Sequence, residues 1–185
     1  MLNQRRKERR LLRQIRAGER EACEEFVRQN YAQIYRFLFH LAGDEALAED
    51  LTQETFAAAW KGIGTFRASS SLATWLHRIA YTRFIDSRRA LQRQAAAAVR
   101  PNLQENRPPD YPSPLDRLLA DERSRRLYRA IQDLAEADRL VIVLHYLQGL
   151  TLRQTAAALN EPVGTVKWKT NHALSRLRAS LNGKV

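Results

Sequence analysis

The residues with the clearest chemical task lie near the C-terminus, where cationic side chains repeat at helical spacing. From residue 163 onward, the spacing of Val166, Ala173 and Leu177 predicts a helix with one buried face. Its other faces carry hydrogen-bonding, aromatic and cationic side chains, which are Thr165, Lys167, Trp168, Lys169, His172, Arg176 and Arg178. Cations neutralise phosphates and the first turns of a helix reach base edges, so this pattern predicts a DNA-binding helix.

A second, shorter helix is predicted directly before it. Thr151 and Gln154 form a capping box that begins this helix, and the turn Asn160-Glu161-Pro162 ends it. Two helices joined by so short a turn indicate a helix-turn-helix that inserts its second helix into the major groove. An ordinary helical hairpin with a solvated basic face remains the alternative.

Basic and aromatic side chains alternate in a loop and helix of the first half of the chain. The candidates are Phe66, Arg67, Ser69, Ser70, Thr74, Trp75, Arg78, Tyr81, Arg88 and Arg89. Arginines neutralise backbone phosphates while aromatic rings accept stacked bases, so the mixture suits single-stranded nucleic acid. For Phe66 and Trp75, packing in the protein core is the alternative, and it is favoured for Trp75.

The helix predicted over residues 45–61 differs in charge, because it presents an acidic and hydrogen-bonding face. On a helical wheel, Gln53 and Glu54 lie within about 60° of Asp50, whereas Leu51 points the other way. Phosphate would be repelled by this face, so in a basic protein it indicates a second partner that is itself a protein. A merely solvated face is the alternative.

Side chains for catalysis or metal binding do not cluster in the sequence. The histidines are scattered, at His40, His77, His145 and His172. Cys23 is the only cysteine, which excludes an internal disulfide and a cysteine-based zinc site. No glycine-rich phosphate-binding loop is present. We therefore expect a protein that is not an enzyme and that needs no cofactor or metal.

The elements that position these residues are predicted to be helices only, because Ala, Leu, Arg, Gln and Glu dominate the sequence. Five of the six prolines lie within residues 101–114, where neither helix nor strand propagates. We therefore predict an all-α fold of two small helical domains, residues 1–94 and 115–185, joined by a flexible proline-rich linker at 95–114. In the first domain, apolar periodicity predicts helices over about residues 20–41, 45–61 and 71–93.

The charge of the chain is strongly basic and unevenly distributed. A total of 31 Lys and Arg against 20 Asp and Glu gives a net charge of +11. Residues 1–20, 65–100 and 148–185 are basic, whereas residues 21–64 are acidic. A polyanionic partner is therefore expected, and nucleic acid or an anionic membrane surface are the candidates. No apolar run approaches the ~20 residues of a membrane helix, so we expect no membrane insertion and a cytoplasmic location.

Three short motifs, in register across the predicted linker, resemble the extracytoplasmic-function (ECF) family of bacterial sigma factors. Asp50, Gln53, Glu54 and Phe56 match its D-x-x-Q-E-x-F signature. Its next block is matched by Phe66-Arg67, Trp75-Leu76, Ile79-Ala80, Asp86 and Arg89, and its C-terminal helix-turn-helix by residues 162–167. Each motif is weak alone, but the ordered combination covers nearly the whole chain.

The resemblance implies a transcription initiation factor that binds core RNA polymerase and directs it to promoter DNA. The first motif, with Phe56 included, would dock on the clamp helices of the polymerase. The basic and aromatic candidates between Phe66 and Arg89 would recognise the minus-10 element and open it into single strands. The candidates between Thr165 and Arg178 would read the duplex minus-35 element. An anti-sigma factor is a further expected partner.

The sequence departs from the family pattern at positions that bear on which promoters are preferred, so the family's promoter preference does not carry over. Thr82 stands where the family usually has Asn, Ala135 replaces a usual Pro, and Arg153-Gln154 replace a usually acidic pair. The rival interpretation is a conventional helix-turn-helix regulator that binds duplex operators. It accounts for residues 148–185 but leaves the acidic helix and the aromatic-basic stretch without a role.

Overall fold

The computed structural model of this protein describes residues 2–97 and 122–182, and every regular element in those ranges is helical. This confirms the all-α prediction. The first range forms α1 Leu2–Arg16, α2 Arg20–Ala42, α3 Glu45–Gly62 and α4 Leu72–Ala97. The second range forms α5 Glu122–Gln132, α6 Glu136–Ile142, α7 Leu152–Leu159 and α8 Val163–Asn182, and a π-helical turn, Val143–Leu147, continues α6. Within the same ranges, no helix is both long and apolar enough to cross a membrane.

The first domain is built around α2, which contacts both α3 and α4. Phe26 and Phe37 of α2 are fully buried, and burying a side chain of this size stabilises the fold by about 1.5–3 kcal/mol. Gly43, with a φ of 69°, ends α2 in the left-handed conformation that glycine adopts without strain. Asp44 then begins α3, because its carboxylate accepts a hydrogen bond from the backbone N–H of Leu47 at 2.8 Å.

The second domain contains the helix-turn-helix that the sequence predicts. Thr151 Oγ1 accepts a hydrogen bond from the backbone N–H of Gln154, and Gln154 Oε1 accepts one from the backbone N–H of Thr151, so the capping box is confirmed. Asn160, with a φ of 55°, ends α7. The buried face of α8 consists of Val166, Thr170, Ala173 and Leu177. This leaves the cationic side of α8 pointing away from the core.

Side chains of the second domain cap the C-terminal end of α2. Arg139 donates hydrogen bonds to the backbone carbonyl of Leu41, at 3.1 Å, and to those of Gln132 and Leu134 at the end of α5. The Gln132 amide donates to the carbonyl of His40 at 3.0 Å. The last carbonyls of a helix have no partner within the helix, so these contacts satisfy them and join the two domains.

The end of the first domain differs from the expectation. α4 runs to Ala97, past the predicted helix end near residue 93 and past the predicted domain boundary at residue 94. The alanines at this end favour helix, so they extend it into the predicted linker. The rest of that linker, residues 98–114, lies outside the described residues.

Candidate nucleic-acid and protein interfaces

α3 presents the predicted acidic face to solvent. Asp50, Gln53 and Glu54 are all exposed, whereas Leu51 and Thr55 on the opposite side are buried. The hydroxyl of Thr55 donates to the carbonyl of Leu51 at 2.7 Å, so this polar residue is satisfied inside the helix. Carboxylates and an amide thus form one continuous exposed strip.

Phe56 does not belong to this strip, although the sequence motif places it there. Only 6% of its surface is exposed, and its ring meets Phe26 edge-on with centroids 6.1 Å apart. Core packing therefore accounts for Phe56, and its predicted contact with a partner stays a prediction. Its side chain points into the core because that position lies on the apolar side of the helix.

Two aromatic residues that sequence reasoning missed border the acidic strip. Tyr31 stacks on Phe56 at 6.0 Å, and Trp60 meets Phe26 edge-on at 5.8 Å. Both rings keep more than a third of their surface exposed. The sequence could have indicated Tyr31 and Trp60, because they lie at the edges of the apolar arcs of α2 and α3. Exposed aromatic rings beside hydrogen-bonding groups are typical of protein–protein interfaces.

The loop between α3 and α4 is anchored by α1. The guanidinium of Arg16 donates to the backbone carbonyl of Ile63, at 3.2 Å, and to that of Phe66. The Phe66 ring packs on Trp75 with centroids 4.8 Å apart, and 7% of Phe66 is exposed. Core packing therefore explains Phe66, and its contact with DNA stays a prediction.

Thr74, like Phe66, has a structural role, which is at the N-terminal end of α4. Ser71 Oγ accepts from the backbone N–H of Thr74 at 3.1 Å, and the two hydroxyls are 2.8 Å apart. Thr74 is therefore a buried part of a helix cap, and its contact with DNA stays a prediction. Arg67 and Ser69 are exposed on either side of Ala68, whose φ of 52° is unusual for a residue other than glycine. Ser70 is half-buried beside them.

An open groove of about 310 Å³ runs beside this loop, between the end of α3 and α4. Its lining includes Gly62, Thr65, Trp75, Arg78, Ile79 and Thr82. Trp75 is half-buried and Arg78 is exposed. A groove that offers an aromatic wall and a guanidinium can accept an unpaired base and its phosphate.

Further along α4, Tyr81 and Arg88 are engaged with the second domain. The Arg88 guanidinium lies 3.6 Å from the carboxylate of Glu136. Tyr81 is half-buried, and burial, followed by the nearby carboxylates of Glu136 and Glu161, raises the pKa of its phenol. α4 packs against α7 here, so Tyr81 faces protein in this arrangement, whereas the Arg88 side chain stays about half exposed beside Glu136. Arg89 remains exposed.

The exposed side of α8 carries most of the predicted reading residues. Thr165, Lys167 and Arg178 are exposed. Trp168 is 64% exposed, which excludes packing in the domain core as its role. Its indole stacks on the imidazole of His172, one turn later, with centroids 5.2 Å apart and planes 12° from parallel. The helix therefore displays a flat aromatic pair among its cations.

The other polar side chains of α8 have acidic partners within the domain. Lys169 Nζ lies 2.7 Å from a carboxylate oxygen of Glu161 in the turn before α8. His172 and Arg176 both contact Asp138 of α6, at 3.3 Å and 3.5 Å. Glu161 and Asp138 are thus functional candidates that sequence reasoning missed, since their pairing with cations of α8 depends on how the helices pack.

Family models match both domains. Residues 26–94 match the sigma-70 region 2 family, and residues 130–179 match the sigma-70 region 4 family. The acidic strip, the α3–α4 loop and the groove all lie in the first match, and the helix-turn-helix lies in the second. The chain is thus a two-domain protein of the sigma-70 class.

Relatives over nearly the full length define the family within that class. The ECF RNA polymerase sigma factor SigW of Bacillus subtilis (strain 168) is 30% identical over 176 residues, which cover 92% of this chain and 94% of SigW. The sigma factor SigK of Mycolicibacterium vanbaalenii is 30% identical over 172 residues, with 92% and 87% covered. This chain belongs to the family of ECF RNA polymerase sigma factors, and its function is to direct RNA polymerase to promoters.

Two solved structures share the fold at 23% sequence identity. CnrH, in complex with the cytosolic domain of CnrY, superposes with a TM-score of 0.72 and covers 96% of this chain and 99% of that one. The sigma factor RpoE of Bartonella quintana, in complex with the anti-sigma factor NepR, gives a TM-score of 0.69, with 88% and 98% covered.

Proposed function

We propose that this sigma factor divides initiation among three of its surfaces. The acidic strip of α3 binds core RNA polymerase, the α3–α4 loop with its groove opens and holds the minus-10 element, and α8 reads the minus-35 element. The observation that carries this proposal is the separation of charge, since exposed carboxylates occupy one helix face and exposed cations the other two surfaces. A conventional operator-binding regulator has no use for the acidic strip.

The strip suits a protein partner for two reasons. Asp50 and Glu54 accept hydrogen bonds from cations on a partner, and such pairs set orientation and association rate. Tyr31 and Trp60 add aromatic surface at its border, and buried aromatic rings are the residues that most often dominate binding energy. We therefore add these two aromatic residues to the proposed polymerase-binding set and leave out Phe56.

The test is charge reversal in the strip. The double variant Asp50→Lys, Glu54→Lys should no longer comigrate with purified core polymerase, because attraction at the interface becomes repulsion. Circular dichroism should be unchanged, because both side chains are exposed. The matched control reverses Glu21 and Glu24, two exposed carboxylates at the start of α2, and should keep core binding.

Wild-type affinity of the Asp50/Glu54 variant for core polymerase would remove the strip from the proposal. Equal loss in the Glu21/Glu24 control would show a general effect of net charge. In either case, start-specific transcription by the wild-type protein with core polymerase separates a sigma factor from an operator-binding regulator.

For the minus-10 element, we propose that Arg67, Ser69 and Ser70 contact the melted strand and that Trp75 and Arg78 hold an unpaired base in the groove. The support is the groove itself, with its aromatic wall and guanidinium. Tyr81, Arg88 and Arg89 extend this surface along α4. Because Tyr81 is half-buried against the second domain, its use requires that the two domains separate on the polymerase, whereas Arg88 is accessible without that change.

For the minus-35 element, we propose that Thr165, Lys167 and Trp168 read base edges, because only the first turns of a helix in the groove reach them. Lys169 and His172 support this reading, and Arg176 and Arg178 anchor on phosphates. We propose that these tasks are divided between two helical units, predicted as residues 1–94 and 115–185 with a linker at 95–114, although α4 continues to Ala97.

Regulation by an anti-sigma factor completes the proposal. The two solved relatives were captured with CnrY and with the anti-sigma factor NepR, and a partner of this kind would act here by holding the two domains together. Catalysis has no part in the proposal, since binding to polymerase and DNA accounts for the surfaces described. With these partners, we place its action in the cytoplasm.

A further inference from the structure

Asp138 occupies an unusual position behind the exposed face of α8. It lies in the first turn of α6, and only 6% of its surface is exposed. Removing a carboxylate from water is costly unless it is paired, so its partners are informative. They are His172, whose Nδ1 lies 3.3 Å from one oxygen, and Arg176, whose Nη1 lies 3.5 Å from the other.

These two partners extend to Trp168 along one side of the helix. Trp168, His172 and Arg176 are spaced four residues apart, so they follow one another up a single face of α8. The carboxylate lies behind the last two, and the indole rests on the imidazole with nearly parallel planes. An exposed indole without support samples several rotamers, and a fixed ring beneath it reduces that freedom.

The hydrogen-bonding chemistry orients the imidazole further. A carboxylate only accepts hydrogen bonds, so the His172 nitrogen that faces it, Nδ1, carries the hydrogen. This is the arrangement in which a carboxylate fixes the orientation and tautomer of a histidine that acts on something else. The ring plane of His172, and with it the plane of Trp168, therefore depends on a residue from another helix.

We propose that Asp138 is a positioning residue for promoter reading: without touching DNA, it sets the orientation of the His172–Trp168 pair and thereby the bases that α8 prefers. This inference rests on the proposed reading of the minus-35 element by α8. Asp138 differs from Glu161, which pairs with the single cation Lys169, because Asp138 acts on the aromatic pair.

The test measures the sequence preference of the full-length protein bound to core polymerase, with a library randomised in the minus-35 element. Asp138→Leu removes the hydrogen-bond acceptor and keeps a side chain of similar volume. It should change the relative binding of library members that differ at one or two adjacent base pairs of the minus-35 element, by about threefold to tenfold. Introduced into a His172→Ala background, the same substitution should cause no further change in preference, because its effect passes through the imidazole.

Asp138→Asn, which keeps one acceptor oxygen, should shift the preference in the same direction by a smaller factor. Glu122→Gln removes an exposed carboxylate from α5 and should leave the minus-35 preference as it is. Thermal melting accompanies each variant, because a purely structural role would lower the melting temperature and the affinity for all library members alike.

An unchanged base preference in a folded Asp138→Leu protein would overturn the inference, as would an equal shift with and without His172. If Asp138→Leu does not fold, Asp138→Asn is used to measure the change in base preference and its dependence on His172. Failure of the proposed function is distinguishable from these results, because the wild-type holoenzyme would then show no preference within the library.

Discussion

Lys169 and Arg178 lie on the same helix, but their electrostatic surroundings differ. Both carboxylate oxygens of Glu161 lie within 2.8 Å of the Lys169 ammonium, whereas Arg178 is exposed near the C-terminal end of α8. A cation that already has an anionic partner gains less from a phosphate, since it must exchange one partner for the other. We therefore expect Arg178 to contribute more than Lys169 to phosphate anchoring.

The proposed division of α8 into residues that read bases and residues that bind phosphates predicts different effects for two substitutions. Trp168→Ser should change which minus-35 sequences are preferred, with a change of roughly 1–3 kcal/mol in discrimination at one position. Its melting temperature should hardly change, because the indole is 64% exposed. Arg178→Gln should weaken all promoters alike and reduce the salt dependence of binding by about one counterion.

Binding across a randomised minus-35 library at two salt concentrations measures both effects. A Trp168→Ser protein with wild-type preference and a clearly lowered melting temperature would show that the indole stabilises the fold and does not read DNA. A changed base preference in Arg178→Gln would contradict its assignment as an anchor.

At the scale of the element, the loop between α3 and α4 depends on α1, which is distant in the sequence. Arg16 holds the carbonyls of Ile63 and Phe66, and the Phe66–Trp75 pair forms the inner side of the loop. The exposed Arg67 and its neighbouring serines extend from this fixed base. The buried residues of the loop therefore position the exposed ones, which is a role the sequence motif does not distinguish from direct contact with DNA.

Loss of this anchor should impair promoter opening more than polymerase binding. In Arg16→Ala, two backbone carbonyls lose a charged donor, at a cost of about 1–3 kcal/mol, and the loop gains mobility. Transcription from a duplex promoter should fall, whereas a promoter opened in advance by mismatches should recover part of the loss. Arg13→Ala, an exposed cation one turn earlier on α1, is the matched control.

Core binding measured in parallel should be unchanged for both α1 variants, since the acidic strip of α3 is not altered. If the duplex and the mismatched promoter lose activity equally in Arg16→Ala, the loop does not act at the opening step.

At the scale of the whole molecule, the contact between the two domains contains buried imidazoles. Burial, with a smaller contribution from the Arg36 cation, lowers the pKa of His40 to about 4. Its ring lies 5.6 Å from that of Tyr128 in the second domain. Burial also lowers the pKa of His77, opposed by the hydrogen bond that its Nδ1 donates to the backbone carbonyl of Ala73 at 2.8 Å. Both imidazoles are therefore neutral in the folded protein at pH 7.

This burial predicts that acid destabilises the protein. His40 has a pKa of about 4 when folded and an ordinary value of 6.5, so below pH 6.5 the unfolded chain binds the proton first. The folded state therefore loses stability as the pH falls from 6.5 towards 4, by at most about 3 kcal/mol from this group. Melting temperatures of the wild type and His40→Gln between pH 7.5 and 4.5 test this.

The His40→Gln protein should show a shallower decline than the wild type, and the difference between the two curves isolates His40 from the carboxylates that also titrate. Parallel curves for His40→Gln and the wild type would contradict the prediction.

Local patterns in the sequence were sufficient for α2, α3 and the helix-turn-helix and for their exposed faces, whereas α1 was not among the predicted helices. The capping box at Thr151, the acidic strip around Asp50 and the buried residues of α8 all depend on neighbours within four positions along the chain. At that range the backbone geometry of a helix fixes which side chains share a face, whatever the rest of the protein does. The all-α fold and the helix-turn-helix were predictable for this reason.

Only the tertiary structure decided what covers each face. Phe56 and Phe66 match a family motif, yet they are buried, and Arg88 shares its helix with exposed cations, yet it pairs with Glu136 of the other domain. The contacts that position the sites join residues far apart in sequence, such as Arg16 with Phe66 and Asp138 with His172. Helical periodicity contains no information about such pairs, because they depend on how helices pack against one another and not on the spacing within a helix.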